Sequence, residues 1–306
     1  MVKGMNGFFL GIEVGGTYVR TGVLKDGYAH NMLYKKARLK KTGNVLSEIN
    51  INIIEPIKKI IDTNKEQILL GIGVSMAANV DRESGIIKSW PNHSLWNGFP
   101  ILCYLKNEFP VPIIIEDDAN CGVLGEYSLL DQERIKNLIY ICIGTGIGCG
   151  LLLNGTLYTG ENGFAGELGH ISLPSDHTRC ACGNEGCLQN IISGPAILKK
   201  YNSITKHDNQ GIELFAGKFD STMRRCYKDT ISILSKVIYN TCVLLDVQNC
   251  ILGGGVVEMR DSFIPDVISS LSGYNRNLQI KKAGLGEKSG IMGAIQLVRQ
   301  QIIVNN

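Results

Sequence analysis

The sequence predicts an α/β protein made of two similar halves. Short apolar segments typical of strands alternate with longer segments whose apolar residues have helical spacing, which is the order found in α/β folds. A strand, a glycine-threonine turn and a second strand occur twice, starting at Phe8 and at Leu138. The length of 306 residues also exceeds what one average hydrophobic core needs. We therefore expect domains at 1–121 and 122–291, with a helix at 292–306 that packs back on the first.

Apolar spacing places the individual elements. Strands are predicted at Phe8–Val14, Tyr18–Leu24, Ile68–Val74, Val111–Ile115, Leu138–Ile143, Gly148–Leu153 and Cys250–Leu252. Helices are predicted at Leu46–Thr63, Ala119–Leu130, Asp229–Leu245 and Met292–Ile303, the last of them amphipathic.

The composition is ordinary for a globular protein. The net charge of +3 is small for this length and gives no support for a nucleic-acid or anionic-membrane partner. No segment has the pattern of a signal peptide, and the longest uncharged apolar stretch, Ile68–Val80, is too short to span a bilayer. We expect a cytoplasmic location, where the ten cysteines are thiols or metal ligands rather than disulfides.

One histidine and three cysteines form the most specific motif of the chain: His170, Cys180, Cys182 and Cys187. Three thiolates and one imidazole complete a tetrahedral zinc shell with no position left for water, the usual form of a structural site. The alternative is that the three cysteines are ordinary core residues. Their close spacing and the interleaved Gly183 and Gly186 favour zinc.

The two glycine-threonine turns, Gly15-Gly16-Thr17 and Gly144-Thr145-Gly146, suit phosphate binding. Such turns expose backbone N–H groups and a hydroxyl without bulky side chains. Neither turn is a dinucleotide-binding fingerprint, because Cys149 stands at the third glycine position and a strand follows, and no P-loop motif is present. Either turn alone would be a plain hairpin, whereas two matched turns predict a phosphate clamp.

An acidic segment, Glu116-Asp117-Asp118, lies where a strand ends and a helix begins. Aspartate is a favoured helix N-cap, so a structural role is the simple alternative. Next to phosphate-binding turns, one of these carboxylates can instead accept the proton of an attacking hydroxyl.

Taken together, these motifs resemble the ROK family of sugar kinases and repressors. The resemblance runs from Gly11 to about Ala294, and its most specific part is Gly163–His170 with the cysteine cluster behind it. It implies the two-domain actin/hexokinase/Hsp70-like ATPase fold, with ribonuclease H-like halves and a cleft between the domains. The cofactors implied are ATP, Mg²⁺ and structural zinc, and the expected assembly is a homodimer that binds neither nucleic acid nor membrane.

The resemblance also implies roles for individual residues. Asp118 would be the general base for the primary hydroxyl of the sugar. The residues expected to bind sugar are Asn92, Asp117, Asp118, Glu167, His170 and Gln189. Those expected to bind ATP and its phosphates are Glu13, Gly15, Gly16, Thr17, Gly144, Thr145, Gly146, Gly254 and Gly255. Glu13 would lie in the outer shell of Mg²⁺, and His170 would bind zinc through one nitrogen and sugar through the other.

Four positions depart from the family pattern. Glu13 replaces aspartate, Asp117 replaces asparagine, Gln189 replaces glutamate, and Ala77-Ala78 replaces a proline-glycine pair. The base, the metal ligands and the phosphate turns are unchanged, so the departures concern the sugar and its specificity.

Within the family, the chain is most similar to D-allose kinases, through Thr17–Arg20, Cys180–Asn184 and Gly253–Met259. Kinases of glucose, N-acetylmannosamine, N-acetylglucosamine and fructose are alternatives. From another class, a sugar-responsive repressor would carry a helix-turn-helix before the first phosphate motif, for which the twelve residues before Glu13 leave no room. A sugar-binding ATPase and an inactive relative of the kinases are the remaining alternatives.

Overall fold

The computed structural model describes residues 7–25, 32–91, 93–174, 177–206, 216–217 and 219–304. Its strands are β1 (Gly7–Val14), β2 (Tyr18–Leu24), β3 (Leu33–Arg38), β4 (Ile68–Met76), β5 (Asn79–Val80), β6 (Ile87–Ser89), β7 (Ile113–Asp117), β8 (Leu138–Ile143), β9 (Ile147–Leu153), β10 (Thr156–Leu157), β11 (Asn249–Gly253) and β12 (Gln279–Lys282). Its helices are α1 (Val45–Ile49), α2 (Glu55–Thr63), α3 (Ile101–Glu108), α4 (Asp118–Tyr127), α5 (Gln189–Ile192), α6 (Gly194–Thr205), α7 (Ser221–Leu245), α8 (Gly255–Glu258), α9 (Phe263–Leu271) and α10 (Ser289–Val304).

The described residues form two compact units. The first runs to Leu130 and resumes at Glu287, and the second runs from Asp131 to Gly286. The division falls after residue 130 rather than after residue 121, because α4 packs along α10 as a whole and is not cut.

The two units are built on sheets of the same topology. The first sheet has the order β3-β2-β1-β4-β7 and the second the order β10-β9-β8-β11-β12. In each, three strands form an antiparallel meander and two further strands run parallel to the central one. The repeat of strand, turn and strand in the sequence therefore corresponds to two similar halves, as predicted.

The helical stretch from α1 to α2 is continuous but contains a π-helical segment at Asn50–Ile54. Within it, the side-chain amide of Asn52 donates to the carbonyl of Glu48 and also exchanges hydrogen bonds with the backbone of Lys40, each at 2.8 Å. A side chain that takes the carbonyl four residues earlier competes with the regular helical hydrogen bond. This competition explains a local π segment inside the single helix that apolar spacing predicts.

Helix α10 differs most from its prediction. The sequence predicts an amphipathic helix, whereas all residues from Ser289 to Ile295 are buried. The helix lies against α4 and against β4 and β1 of the first sheet. Close approach depends on glycine, because a Cβ at Gly73 would lie 2.1 Å from the carbonyl oxygen of Ala294.

Each unit has its own hydrophobic core. In the first unit the core lies between the sheet and the surrounding helices and includes Trp90 and Trp96, both fully buried. In the second unit it is dominated by the buried face of α7 against the sheet. None of the helices in the described ranges combines the length and apolar character needed to cross a membrane.

Candidate active site and metal centre

Three strand ends lie side by side at one edge of the first sheet. Val14 pairs with Met76 and Met76 pairs with Asp117, so β1, β4 and β7 end at the same level. The first glycine-threonine turn, Gly15–Thr17, therefore leaves the sheet two strands away from Asp118, a separation of about 10 Å. Sequence reasoning selected both segments, and the register of the sheet brings them to one edge.

Glu116 is a buried carboxylate at the end of β7, and Arg82 neutralises it. The guanidinium of Arg82 donates from Nε at 2.9 Å and from Nη2 at 2.6 Å, in a bidentate arrangement. The same carboxylate accepts from the backbone N–H of Asp117 at 2.8 Å and from the side-chain amide of Asn120 at 3.0 Å. Glu116 is therefore a structural anion that fixes the junction between β7 and α4.

Asp117 and Asp118 have different surroundings. Asp117 is the N-cap of α4, and its Oδ1 accepts from the backbone N–H of Ala119 at 2.9 Å and of Asn120 at 3.3 Å. Burial, reinforced by the charge of Asp118, raises the pKa of Asp117 well above its usual range. Asp118 is exposed at the first residue of the helix. The capping role that the sequence allowed thus belongs to Asp117, and Asp118 is presented at the surface.

Glu13, two residues before the first turn, forms an ion pair with Arg20. Arg20 Nη1 donates to Glu13 Oε1 at 2.6 Å, and Arg20 also contacts Glu287 at 3.1 Å. Lys36 pairs with the same Glu287. Burial raises the pKa of Glu13, and the charge of Arg20 opposes that rise.

The second turn, Gly144–Gly146, has glycine neighbours on the parallel strand β11. Gly254 has a φ of +92°, and a Cβ at this position would lie 2.5 Å from the carbonyl oxygen of Ile143. Only glycine fits such a backbone at such a distance. The segment Gly253–Gly255 therefore packs directly against the strand that leads into the second turn. In both turns the threonine is exposed and the glycines are half-buried.

The positions of Glu167 and His170 depend on two glycines, Gly166 and Gly169, whose backbone packs closely against β9. A Cβ at Gly166 would lie 2.1 Å, and one at Gly169 2.4 Å, from carbonyl oxygens of that strand, and Gly166 has a φ of +90°. The short 3₁₀ turn Leu168–His170 follows from this close approach. The side chain of Glu167 is 55% exposed and that of His170 33%, so both are accessible at the surface of the second unit.

His170, Cys180, Cys182 and Cys187 converge as a candidate metal centre. Their ligand atoms all lie within 4.8 Å of one another. The distance from Cys180 Sγ to His170 Nδ1 is 3.7 Å, and that from Cys182 Sγ to Cys187 Sγ is 3.5 Å. A tetrahedral zinc ion with Zn–S bonds of about 2.3 Å requires sulfur atoms about 3.8 Å apart. The donor set and its spacing therefore fit zinc.

The thiols of this cluster differ in acidity. Burial raises the pKa of Cys180, but hydrogen bonds from the Cys182 backbone and from Gln189 outweigh it and lower this pKa to about 6. Burial and the hydrogen bonds to its neighbours raise the pKa of Cys187 to about 12. Gln189, which the sequence analysis assigned to sugar, donates from Nε2 to Cys180 Sγ at 3.4 Å.

Asn92, a predicted sugar residue, lies outside the described residues. The next residue, His93, is 7% exposed, and its Nε2 is hydrogen-bonded to the fully buried Glu48. Trp96 Nε1 donates to the same carboxylate at 2.9 Å. Sequence reasoning missed this network and the Arg82–Glu116 pair. Glu48 is the one charged residue of the segment Val45–Ile54, in which six of the ten residues are isoleucine, leucine or valine at helical spacing, and this was the signal that could have indicated a buried, satisfied carboxylate.

Comparisons with known proteins identify the family of the chain. The ROK family model matches residues 9–301. The chain belongs to the ROK family. A glucokinase of Halalkalibacterium halodurans is 27% identical over 96% of each chain, and a xylose repressor of Caldicellulosiruptor bescii is 31% identical over 95% of this chain and 78% of its own. A ROK hexokinase of Thermus thermophilus has a TM-score of 0.83 at 25% identity and covers 97% of this chain and 99% of its own.

Membership in the ROK family confirms the predicted fold class, the hexokinase-like ATPase fold with two α/β units. The relatives include kinases and repressors, so the family alone is consistent with two kinds of activity. The predicted residues fall into two sets. Asp117, Asp118, Glu13 and the first turn lie in the first unit, and the metal cluster, Glu167, Gln189, the second turn and Gly253–Gly255 lie in the second.

Proposed function

We propose that this protein is an ATP-dependent kinase that phosphorylates the 6-hydroxyl of a hexose. The observation that carries the proposal is the position of Asp118. An exposed carboxylate stands about 10 Å from a glycine-threonine turn on the same sheet edge, which leaves room for a sugar hydroxyl and a terminal phosphate between them.

In the proposed reaction, Asp118 accepts the proton of the sugar hydroxyl while the hydroxyl oxygen attacks the γ-phosphorus of ATP in line. The new P–O bond forms as the bond to the ADP oxygen breaks. By the family resemblance, the two glycine-threonine turns would bind phosphate through backbone N–H groups, and Gly254 and Gly255 would lie near the adenosine. Mg²⁺ bound with ATP would neutralise phosphate charge. Because Glu13 Oε1 is already paired with Arg20, we propose that Glu13 faces this ion through water.

We propose that zinc occupies the cluster of His170, Cys180, Cys182 and Cys187 as a structural ion. His170 Nδ1 points to Cys180 and would bind the metal. Nε2, on the other side of the ring, lies 3.8 Å from Glu167 Oε2. That division of the imidazole leaves Nε2 and Glu167 to bind sugar hydroxyls. A closed shell of four protein ligands holds these groups in place and activates no water.

We propose D-allose as the leading candidate for the sugar substrate, because Thr17–Arg20 and Gly253–Met259 resemble the corresponding segments of allose kinases. The departures at Asp117 and Gln189 support a sugar shell different from that of glucokinases, because Asp117 is occupied as a helix cap and Gln189 is bonded to Cys180. Glucose, N-acetylmannosamine and N-acetylglucosamine are the next sugars to test. We also propose a homodimer, as the family resemblance implies, and a cytoplasmic location, as the sequence pattern predicts.

A second candidate function is sugar-responsive repression of transcription, which the 31% identity to a xylose repressor favours. A repressor needs the sugar site but not the phosphoryl-transfer groups. The two glycine-threonine turns favour the kinase, since a protein that only binds sugar needs no phosphate-binding turns.

Sugar-dependent release of ADP distinguishes the two functions. The protein is assayed with ATP and Mg²⁺ against aldohexoses, ketohexoses and N-acetylhexosamines, and its best product is analysed for 6-phosphate by nuclear magnetic resonance. We expect turnover with D-allose above all. Turnover only with glucose or an amino sugar would retain the kinase and refute the sugar. Sugar binding by calorimetry without any turnover would refute the kinase.

A further inference from the structure

Gln189 contacts both the metal cluster and the second glycine-threonine turn. Its Nε2 donates to Cys180 Sγ at 3.4 Å. Its Oε1 lies 3.2 Å from the position that a Cβ at Gly146 would occupy. The amide oxygen therefore packs next to the backbone of the turn. An amide has a donor and an acceptor at opposite sides of one rigid plane, which allows one side chain to serve both neighbours.

The backbone around Gln189 forms a second connection between the same two places. Cys187, a ligand of the cluster, is two residues before Gln189, and α5 begins at Gln189 itself. Two residues after the end of this short helix, at the start of α6, Gly194 N donates to the carbonyl of Gly144 at 2.9 Å. One segment of eight residues, 187–194, therefore has a metal ligand at its start and a hydrogen bond to the turn at its end.

The identity of the residue fits this double contact. A glutamate, which the family pattern has here, could accept hydrogen bonds but could not donate one to a thiolate. Its charge would also repel both the thiolates and the phosphates proposed to bind at the turn. Glutamine is nearly the same size, is neutral, and has the N–H that the sulfur of Cys180 accepts.

We propose that Gln189 is a positioning residue through which the metal centre holds the Gly144–Gly146 turn in its phosphate-binding shape. The inference rests on the proposed role of this turn in binding nucleotide. It assigns the amide of Gln189 to the metal cluster and the turn, whereas family resemblance assigned this side chain to sugar. The cluster then supports the nucleotide site as well as the sugar residues Glu167 and His170.

A physical link between two sites must act in both directions. If the metal centre stabilises the turn that binds nucleotide, then bound nucleotide stabilises the metal centre by the same free energy. The consequence is measurable without sugar and without turnover, because bound nucleotide raises the affinity of the protein for metal.

The experiment measures the zinc affinity of the protein by equilibrium competition with a chromogenic chelator, with and without a non-hydrolysable ATP analogue and Mg²⁺. In the unchanged protein we expect the analogue to raise zinc affinity at least about fivefold, the lower end of typical coupling between sites. In Gln189→Met, which keeps length and neutrality but has no amide, we expect zinc affinity about tenfold lower, as for loss of an outer-shell partner. The analogue should no longer raise it.

Gln279→Met is the matched control, since Gln279 is an exposed glutamine of β12 whose side-chain amide donates to the nearby Asn277 at 3.1 Å. It should behave as the unchanged protein does. Analogue binding is followed separately with a fluorescent nucleotide.

The inference is overturned if the analogue binds the unchanged protein without raising its zinc affinity, if it does not bind, or if it raises zinc affinity equally in Gln189→Met. Higher zinc affinity with the analogue in the unchanged protein, but no sugar turnover, would refute the kinase and retain the link. Normal sugar turnover without the change in zinc affinity would retain the kinase and refute the link.

Discussion

Glu48 is a fully buried carboxylate with four hydrogen-bond donors around it. Its Oε1 accepts from the backbone N–H groups of Thr42 at 2.6 Å and Gly43 at 2.9 Å, and its Oε2 accepts from Trp96 and contacts His93. Burial alone would raise the pKa of this group, but the hydrogen bonds outweigh it and lower the pKa to about 2. The charge at position 48 therefore ties three separate segments of the first unit together.

Replacing Glu48 by glutamine should destabilise the protein at neutral pH. A pKa that falls from 4.5 to about 2 corresponds to about 3 kcal/mol of unfolding free energy. Because the folded-state pKa is lowered, this stability is complete above about pH 4.5 and is lost as the pH falls towards 2. In urea denaturation, the deficit of Glu48→Gln should thus be about 1 kcal/mol smaller at pH 3.5 than at pH 7.

The exposed Glu83 supplies the control for this measurement, and Glu83→Gln should change the unfolding free energy by less than about 0.5 kcal/mol. An equal deficit of Glu48→Gln at both pH values would contradict an ionised Glu48.

At the scale of secondary-structure elements, the junction of β7 and α4 depends on an ion pair between two residues that are distant in sequence. Arg82 and Glu116 are 34 residues apart, and the carboxylate accepts from the arginine and from two groups of the junction itself. The strand, the helix and the acidic segment could be predicted from apolar spacing and capping preference. The sequence could not predict which of the three acidic residues caps the helix, because that choice depends on the distant Arg82, which pairs with Glu116.

Arg82→Met should weaken this junction. It leaves the buried Glu116 without its cation, and we expect a loss of about 1–3 kcal/mol in unfolding free energy, together with a lower kcat and a smaller change in KM. Lys88→Met is the control, because its pair with Asp81 is on the surface, where such a pair contributes about 0–1 kcal/mol. Equal losses in the two variants would show that Arg82 has no special role.

Helix α10 depends on glycine for its position. A Cβ at Gly293 would lie 1.7 Å from the carbonyl oxygen of Cys121 in α4. Gly293→Ala should therefore force the two helices apart and lower the unfolding free energy by about 1–3 kcal/mol, as measured by thermal or urea unfolding.

Gly273→Ala is the control, since a Cβ there has no neighbour within 4 Å. A stability of Gly293→Ala equal to that of this control would contradict the close contact of α4 and α10. The sequence predicted the helix but not its burial, because burial on all sides of its first turns follows from the packing and not from the apolar period.

On the scale of the whole molecule, the same topology occurs twice, and each copy has its glycine-threonine turn after its first strand. This much could be predicted, because strands, turns and metal ligands are local patterns of residues. The contacts of Glu48 with His93 and of Gln189 with Cys180 could not, since neither apolar period nor motif spacing encodes which polar side chains meet in the folded chain.

The most direct test of the kinase proposal compares the turnover of the unchanged protein with that of Asp118→Ala on its best sugar, by coupled ADP release with ATP and Mg²⁺. Asp62→Ala is the matched control, because Asp62 is an exposed acid of the same unit at the end of α2. We predict that Asp118→Ala lowers kcat by about 10²–10⁴-fold, the usual cost of losing a general base, while Asp62→Ala stays near normal. Near-normal turnover of Asp118→Ala would contradict the assignment of Asp118 as the group that takes the proton.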